Sequence, residues 1–168
     1  MTWTKPTALA LTAVLALGSG FGAISESHAQ NVGEKTFNYP TNKDTADVVL
    51  GGYDLVAYFD DKSATKGSPE HAVKYSGNIY YFDNEEHQQM FIQNPAKYLP
   101  RFGGFCPVNL RQGKAEKGDP KQFVVHEGRL YICASASAHE SLQDNPEAVI
   151  DKAEKNVKNF PDYLQRGR

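Results

Sequence analysis

Two kinds of apolar pattern divide the chain. The first is a run from Ala8 to Leu17, interrupted only by Thr12, with Lys5 ahead of it and small residues behind it up to Ser27-His28-Ala29. A short positive start, an apolar stretch and an A-x-A-like end predict a cleaved export leader over residues 1–29. That run is about half the roughly 20 residues a membrane-spanning helix needs, and no later segment is long and apolar enough to span. The second pattern is short and alternating. Leu55-Val56-Ala57-Tyr58-Phe59 reads as a strand after Gly51-Gly52. Ala72–Tyr75 and Ile79–Phe82 read as a hairpin turned by Ser76-Gly77-Asn78, and Phe123–His126 with Leu130–Cys133 as another around Glu127-Gly128. Asp83-x-x-Glu86 and Ser137-x-x-Glu140 predict capping boxes that open short helices. Asn94-Pro95 and Asn145-Pro146 each offer an N-cap followed by proline at the first helical position. Beyond Pro146 the spacing of Val149, Ile150, Ala153 and Val157 predicts a C-terminal helix over about 146–158.

The elements recur. Ala64-Thr65-Lys66-Gly67-Ser68-Pro69 returns 51 residues later as Ala115-Glu116-Lys117-Gly118-Asp119-Pro120, and the same offset pairs Val73 with Val124, Gly77 with Gly128, Tyr80 with Tyr131 and Asn94-Pro95 with Asn145-Pro146. Nine of the 32 positions from Ala64 to Pro95 are identical at this offset, where chance gives roughly two. With a one-residue slip, Gly51-Gly52-Tyr53-Asp54-Leu55-Val56 faces Gly103-Gly104-Phe105-Cys106-Pro107-Val108. The expected architecture is α+β: two degenerate β-hairpin–helix repeats, about 51–102 and 103–150, packed as one pseudo-symmetric domain. Two copies are too few for a solenoid, and each alone is small for a core. The domain is expected to span 50–168, with 30–49 an N-terminal extension.

Charge and cysteine usage narrow the functional classes. Eighteen Lys+Arg against 20 Asp+Glu give a net charge of −2, unchanged without the leader, which argues against nucleic acid as a partner. Two cysteines are too few for a disulfide-dense scaffold or a four-cysteine zinc site. Both fall in the second repeat, Cys106 opposite Asp54 and Cys133 opposite Phe82 of the first. The expected location is outside the cytoplasm, in a bacterial periplasm, where disulfides persist.

Tyr80-Tyr81-Phe82-Asp83-Asn84-Glu85-Glu86-His87, followed by Phe91-x-x-Asn94-Pro95-x-x-Tyr98-Leu99, resembles the YHS domain, as does Gly52-Tyr53-Asp54-Leu55-Val56-Ala57-Tyr58-Phe59. The stretch Pro100-Arg101-Phe102-Gly103-Gly104-Phe105-Cys106 is similar to a segment of exported bacterial YHS proteins. The resemblance is strong over about Leu50–Cys106 and weak over Gly103–Ile150. It implies a small metal-associated module, since YHS domains occur in copper-transporting ATPases with paired cysteines as presumed ligands. Those cysteine positions fall here on Ala57, Asp83 and His87, so the family's thiolate set is not carried over.

This chain's own soft donors are Cys106, Cys133, His126, His139, His87 and Met90. Cys106 and Cys133 admit three readings: a disulfide worth on the order of 3 kcal/mol in loop-closure entropy, two free buried thiols, or a soft-metal site completed by His126 or His139. Cys106-Pro107-Val108-Asn109 lacks a second cysteine and so is not a thioredoxin-type motif. His87 and Met90, three apart, would share a helix face and offer nitrogen and thioether to Cu(I). Aromatic residues crowd the first repeat and the junction, where a small-ligand pocket between the copies is one expectation. No catalytic residues and no phosphate loop are evident, the Asp83/Glu86/His87 cluster reading as a helix cap. The expected function is a non-enzymatic binding module for copper or another soft metal or a small ligand. The alternative is a structural or interaction domain stapled by Cys106–Cys133.

Overall fold

A computed structural model describes residues 30–31 and 48–161. The leader predicted over 1–29 lies outside the described residues, as do 32–47 of the expected extension.

The fold is mixed α+β and contains two antiparallel hairpins. The first joins β2 (Ser68–Tyr75) to β3 (Asn78–Phe82), and β1 (Gln30–Asn31) adds to it in parallel beside Val73 and Lys74. Those two residues of the expected extension therefore belong to the sheet. The second hairpin joins β4 (Phe123–His126) to β5 (Arg129–Ile132). Both turns have two residues with positive φ, Ser76-Gly77 and Glu127-Gly128, the mirror-image turn geometry whose twist matches the flanking strands. The first turn is thus one residue shorter than the sequence suggested, because Asn78 pairs with Tyr75.

A helix follows each hairpin and a proline-started helix follows that. These are α1 (Glu85–Gln93) and α2 (Pro95–Tyr98) in the first half. In the second half α3 (Pro107–Leu110) precedes the hairpin, while α4 (Ala136–Asp144) and α5 (Pro146–Asn156) follow it. The caps sit away from the expected boxes. Asn84, not Asp83, caps α1 by accepting the His87 amide at 2.9 Å, and Ser135, not Ser137, caps α4 through the Ala138 amide. A cap must have extended backbone with its side chain reaching two or three residues on, and only Asn84 and Ser135 meet both conditions here. The C-terminal helix matches its expected range, continuing as a 3-10 turn over Val157–Asn159.

Leu55–Phe59 is not a strand. The Asp54 carboxylate accepts the amides of Val56 and Ala57, which starts a turn, and the amides of Asp60 and Asp61 then reach the carbonyls of Val56 and Ala57. Its continuous apolarity reflects burial on every side, since Leu55, Val56, Ala57 and Tyr58 are all at most 1% exposed. A run buried all round carries no periodicity that separates strand from helical turn.

Local geometry repeats at matched positions. Leu50-Gly51-Gly52 have φ of 48°, 61° and 80°, and Phe102-Gly103-Gly104 have 54°, 61° and 80°. The Gly67 amide donates to the Gly52 carbonyl and the Gly118 amide to that of Gly104, both at 2.9 Å. A Cβ on Gly67 would lie 2.4 Å from the Tyr81 carbonyl carbon, and one on Gly118 2.3 Å from the Ile132 side chain. Glycine is therefore required at both crossings.

Side-chain alternation along β5 ties the halves together. Leu130 and Ile132 are buried in the core built on Tyr80, Phe82 and Phe91, whereas Tyr131 and Cys133, the residue just after β5, enter the core built on Leu142, Val149 and Ala153. Each fully buried aliphatic side chain contributes roughly 1.5–3 kcal/mol, so one strand anchors both cores. Tyr58 adds a cross-tie: its hydroxyl donates to the Pro120 carbonyl at 2.9 Å and its ring meets Phe123 at 4.7 Å. Among the described residues no helix is long and apolar enough to cross a membrane.

Candidate functional site

The two cysteines, 27 residues apart in sequence, meet in the second core. Cys106 is the residue before α3, and its amide donates to the Glu116 carbonyl. Cys133 directly follows β5; its amide donates to the Gln122 carbonyl, and its carbonyl accepts from the Asp119 amide. These backbone bonds fix both Cβ positions. Cys133 and the backbone N–H groups of Asn109, Ala134 and Val108 are the neighbours that favour negative charge on the Cys106 sulfur. Both residues are fully buried, and both thiols are free.

The proton on this pair is unevenly held. Donation from Cys133, reinforced by the three backbone amides, outweighs burial and brings Cys106 down to about 6. Cys133 is pushed far up, first by its role as donor, then by burial and by the negative charge beside it. The charged form is thus favoured at Cys106 and the neutral form at Cys133. Such a sulfur is a nucleophile and a soft-metal donor.

The matching place in the first half holds a carboxylate. Asp54 is fully buried. Its Oδ1 accepts the amides of Val56 at 2.8 Å and Ala57 at 3.2 Å, and its Oδ2 accepts the Asp83 amide at 2.8 Å and meets His87 Nδ1 at 2.7 Å. The amides of Val56, Ala57 and Asp83 hydrogen-bond Asp54, and the amides that favour charge on Cys106, those of Val108, Asn109 and Ala134, stand at the corresponding sequence positions. Burial alone would lower the His87 pKa; the hydrogen bond and charge of Asp54 reverse that and raise it.

No family model matches the chain, and neither do curated proteins or solved structures. The site is therefore read from its own geometry.

Of the six soft donors, only Cys106 and Cys133 come together. His126 projects from β4 toward Glu147, with 3.7 Å between Nε2 and Oε1. His139 lines a separate cavity with Tyr58, Phe123 and Gln143. His87 is engaged by Asp54, and Met90 packs on the first core. Among the described residues no group of three or more His, Cys, Asp and Glu is arranged to hold a metal. The thiols are thus not joined by His126 or His139, because β4 and α4 carry those imidazoles to other surfaces. In the Asp83/Glu86/His87 cluster, Asp83 offers Asp54 its backbone amide, and the His87 imidazole turns to Asp54. Sequence reasoning overlooked Asp54 as a buried anion, although the alignment that set it opposite Cys106 contained the signal.

Proposed function

We propose that this chain is an exported YHS-type binding module, built from two degenerate copies of one hairpin–helix unit, whose functional centre is the Cys106–Cys133 pair acting as a donor site for Cu(I) or a similar soft ion. The leader pattern of residues 1–29 supports export. The motif residues between Leu50 and Cys106 support the family reading, and the recurrence of backbone geometry at Leu50–Gly52 and Phe102–Gly104 supports duplication.

The observation that carries the metal reading is the socket around the Cys106 sulfur. The Cys133 thiol and the neighbouring amides of Asn109, Ala134 and Val108 favour negative charge there. A metal thiolate keeps much of that charge, and hydrogen bonds to ligand sulfur are a usual support of such sites. A neutral disulfide would leave the amides with a poor acceptor, and buried unsatisfied donors are costly. The donor set fits the metal: two adjacent thiol sulfurs in an apolar shell suit a soft monovalent cation and exclude hard ones. Cys106 and Cys133 would hold it, and the ion would supply the reason for storing a thiolate in a dry core.

Anaerobic equilibrium dialysis of the reduced protein against Cu(I) tests this. One copper per chain is expected, lost in Cys106→Ala and in Cys133→Ala and kept in a His126→Ala/His139→Ala double variant. No retained copper, or retention in both cysteine variants, sinks the reading. The second reading, a structural staple, is favoured by the adjacency of the two thiols in a chain with an export leader. Protein isolated without reductant would then lack two hydrogens in mass and resist alkylation at both cysteines.

A further inference from the structure

The two double-glycine loops meet across a cavity of about 300 Å³ that the thiol chemistry does not use. Val49, Leu50 and Tyr53 line it from the first half, and Phe105, Lys117 and Pro120 from the second. This volume lies at the lower end of small-molecule pockets, and a junction between two packed units is a common place for one.

Three observations indicate a built site rather than a packing gap. Leu50 and Phe102 hold left-handed backbone at φ 48° and 54°, a strained conformation for a non-glycine residue that concentrates at ligand sites. Gly104 lets the loops approach, since a Cβ there would stand 2.9 Å from Leu50 Cδ2. The charge at the rim is of one sign. Lys117 is among the lining residues, and no acidic residue is. At the matched position in the first half, Lys66 donates its Nζ hydrogen to the Gly51 carbonyl at 2.5 Å and lies 4.3 Å over the Tyr53 ring. No salt bridge among the described residues engages either lysine.

We infer that this cavity binds a small monoanion with an apolar body, such as an aromatic or branched carboxylate. The body would sit among Val49, Leu50, Tyr53 and Phe105, and the carboxylate would point to Lys117 at the mouth, with Lys66 adding to the field. This site is separate from the cysteine pair, so neither proposal depends on the other.

Amide-resolved NMR titration of the full chain with benzoate, and with benzyl alcohol as the uncharged match, provides the test. Benzoate is expected to give saturable shifts concentrated at Leu50, Gly51, Tyr53 and Gly103–Phe105. Benzyl alcohol should bind at least about fivefold more weakly, and Lys117→Gln should weaken benzoate by a similar factor, the scale of one partly screened charge. Lys117 is exposed, so its replacement leaves the fold intact, and an unchanged amide spectrum for the free variant checks this. Diffuse or non-saturating shifts would overturn the site. Equal binding of acid and alcohol, or benzoate binding indifferent to Lys117→Gln, would overturn the anion assignment.

Discussion

The sockets around Asp54 and Cys106 use the same backbone donors for different chemistry. In the first half a carboxylate accepts the amides of Val56, Ala57 and Asp83 and is balanced by His87. In the second, a sulfur faces the amides of Val108, Asn109 and Ala134 and is balanced by the Cys133 thiol. Each balancing partner sits where the other half has an inert residue: Ala138 matches His87, and Phe82 matches Cys133. The backbone therefore fixes only that a hydrogen-bond acceptor is favoured there. Side chains decide whether that place holds a carboxylate paired with an imidazole or a cysteine sulfur paired with a second thiol. The first socket reads as structural support, and the second is where the proposed soft-metal site would lie.

The largest effect should come from breaking the first socket. Asp54→Ala removes the acceptor for three amides and strands a buried imidazole, and loss of one member of such a buried set costs about 3–5 kcal/mol. Urea unfolding of Asp54→Ala should show this, and a loss under 1 kcal/mol would mean that the carboxylate is not what organises the turn at Leu55–Phe59. Cys106→Ala should cost less, about 1–3 kcal/mol, because the amides lose a weaker acceptor and the remaining thiol is neutral.

The sockets should also respond to pH in opposite directions. Cys106 is lowered from the ordinary thiol value of 9.0 to about 6, so its contribution to stability is present above the unfolded value and is lost as pH falls through about 6. His87 is raised, so its contribution is fully present below the unfolded value of 6.5 and is lost as pH rises through the elevated folded one. In reduced protein, Cys106→Ala should flatten the rise of stability between pH 6 and 9, and His87→Gln should remove the loss on leaving mildly acidic pH. Thiolate absorbance should titrate near pH 6 and vanish in Cys106→Ala. Titration near 9 instead would remove the electrostatic basis of the comparison.

How far these features were legible in the sequence depends on how local their causes are. Both hairpins, the prolines that open α2 and α5, and the long C-terminal helix rest on turn and cap chemistry within a few residues, and they were read correctly. The turn at Leu55–Phe59 was misread because its signal is a hydrogen bond from Asp54, while its apolarity reports burial from elsewhere in the fold. The spread of His126, His139, His87 and Met90 was invisible for a related reason. Each is a plausible soft donor by type, but which face of a short strand or helix it occupies is set by packing against the other half. The meeting of Cys106 with Cys133 was foreshadowed only by the repeat alignment, which placed them opposite Asp54 and Phe82.

The smallest effects concern the two matched helix caps, and they separate what the halves share from what they do not. Asn84 caps α1 at 2.9 Å and Ser135 caps α4 at 3.2 Å, each satisfying one amide at a nine-residue helix. Neither side chain touches a cysteine or the Asp54 carboxylate, so each alanine variant should lose about 1 kcal/mol, the ordinary value of an N-cap. Asn84→Ala has an added route to the first socket, because the amide it frees belongs to His87, the partner of Asp54. A double-mutant cycle between Asn84→Ala and His87→Gln should therefore show coupling of about 0.5 kcal/mol or more, whereas Ser135→Ala with Cys133→Ala should be additive within about 0.3–0.5 kcal/mol. Additivity in the first half would mean that the imidazole does not link cap and socket, and coupling in the second would mean that a link exists without one.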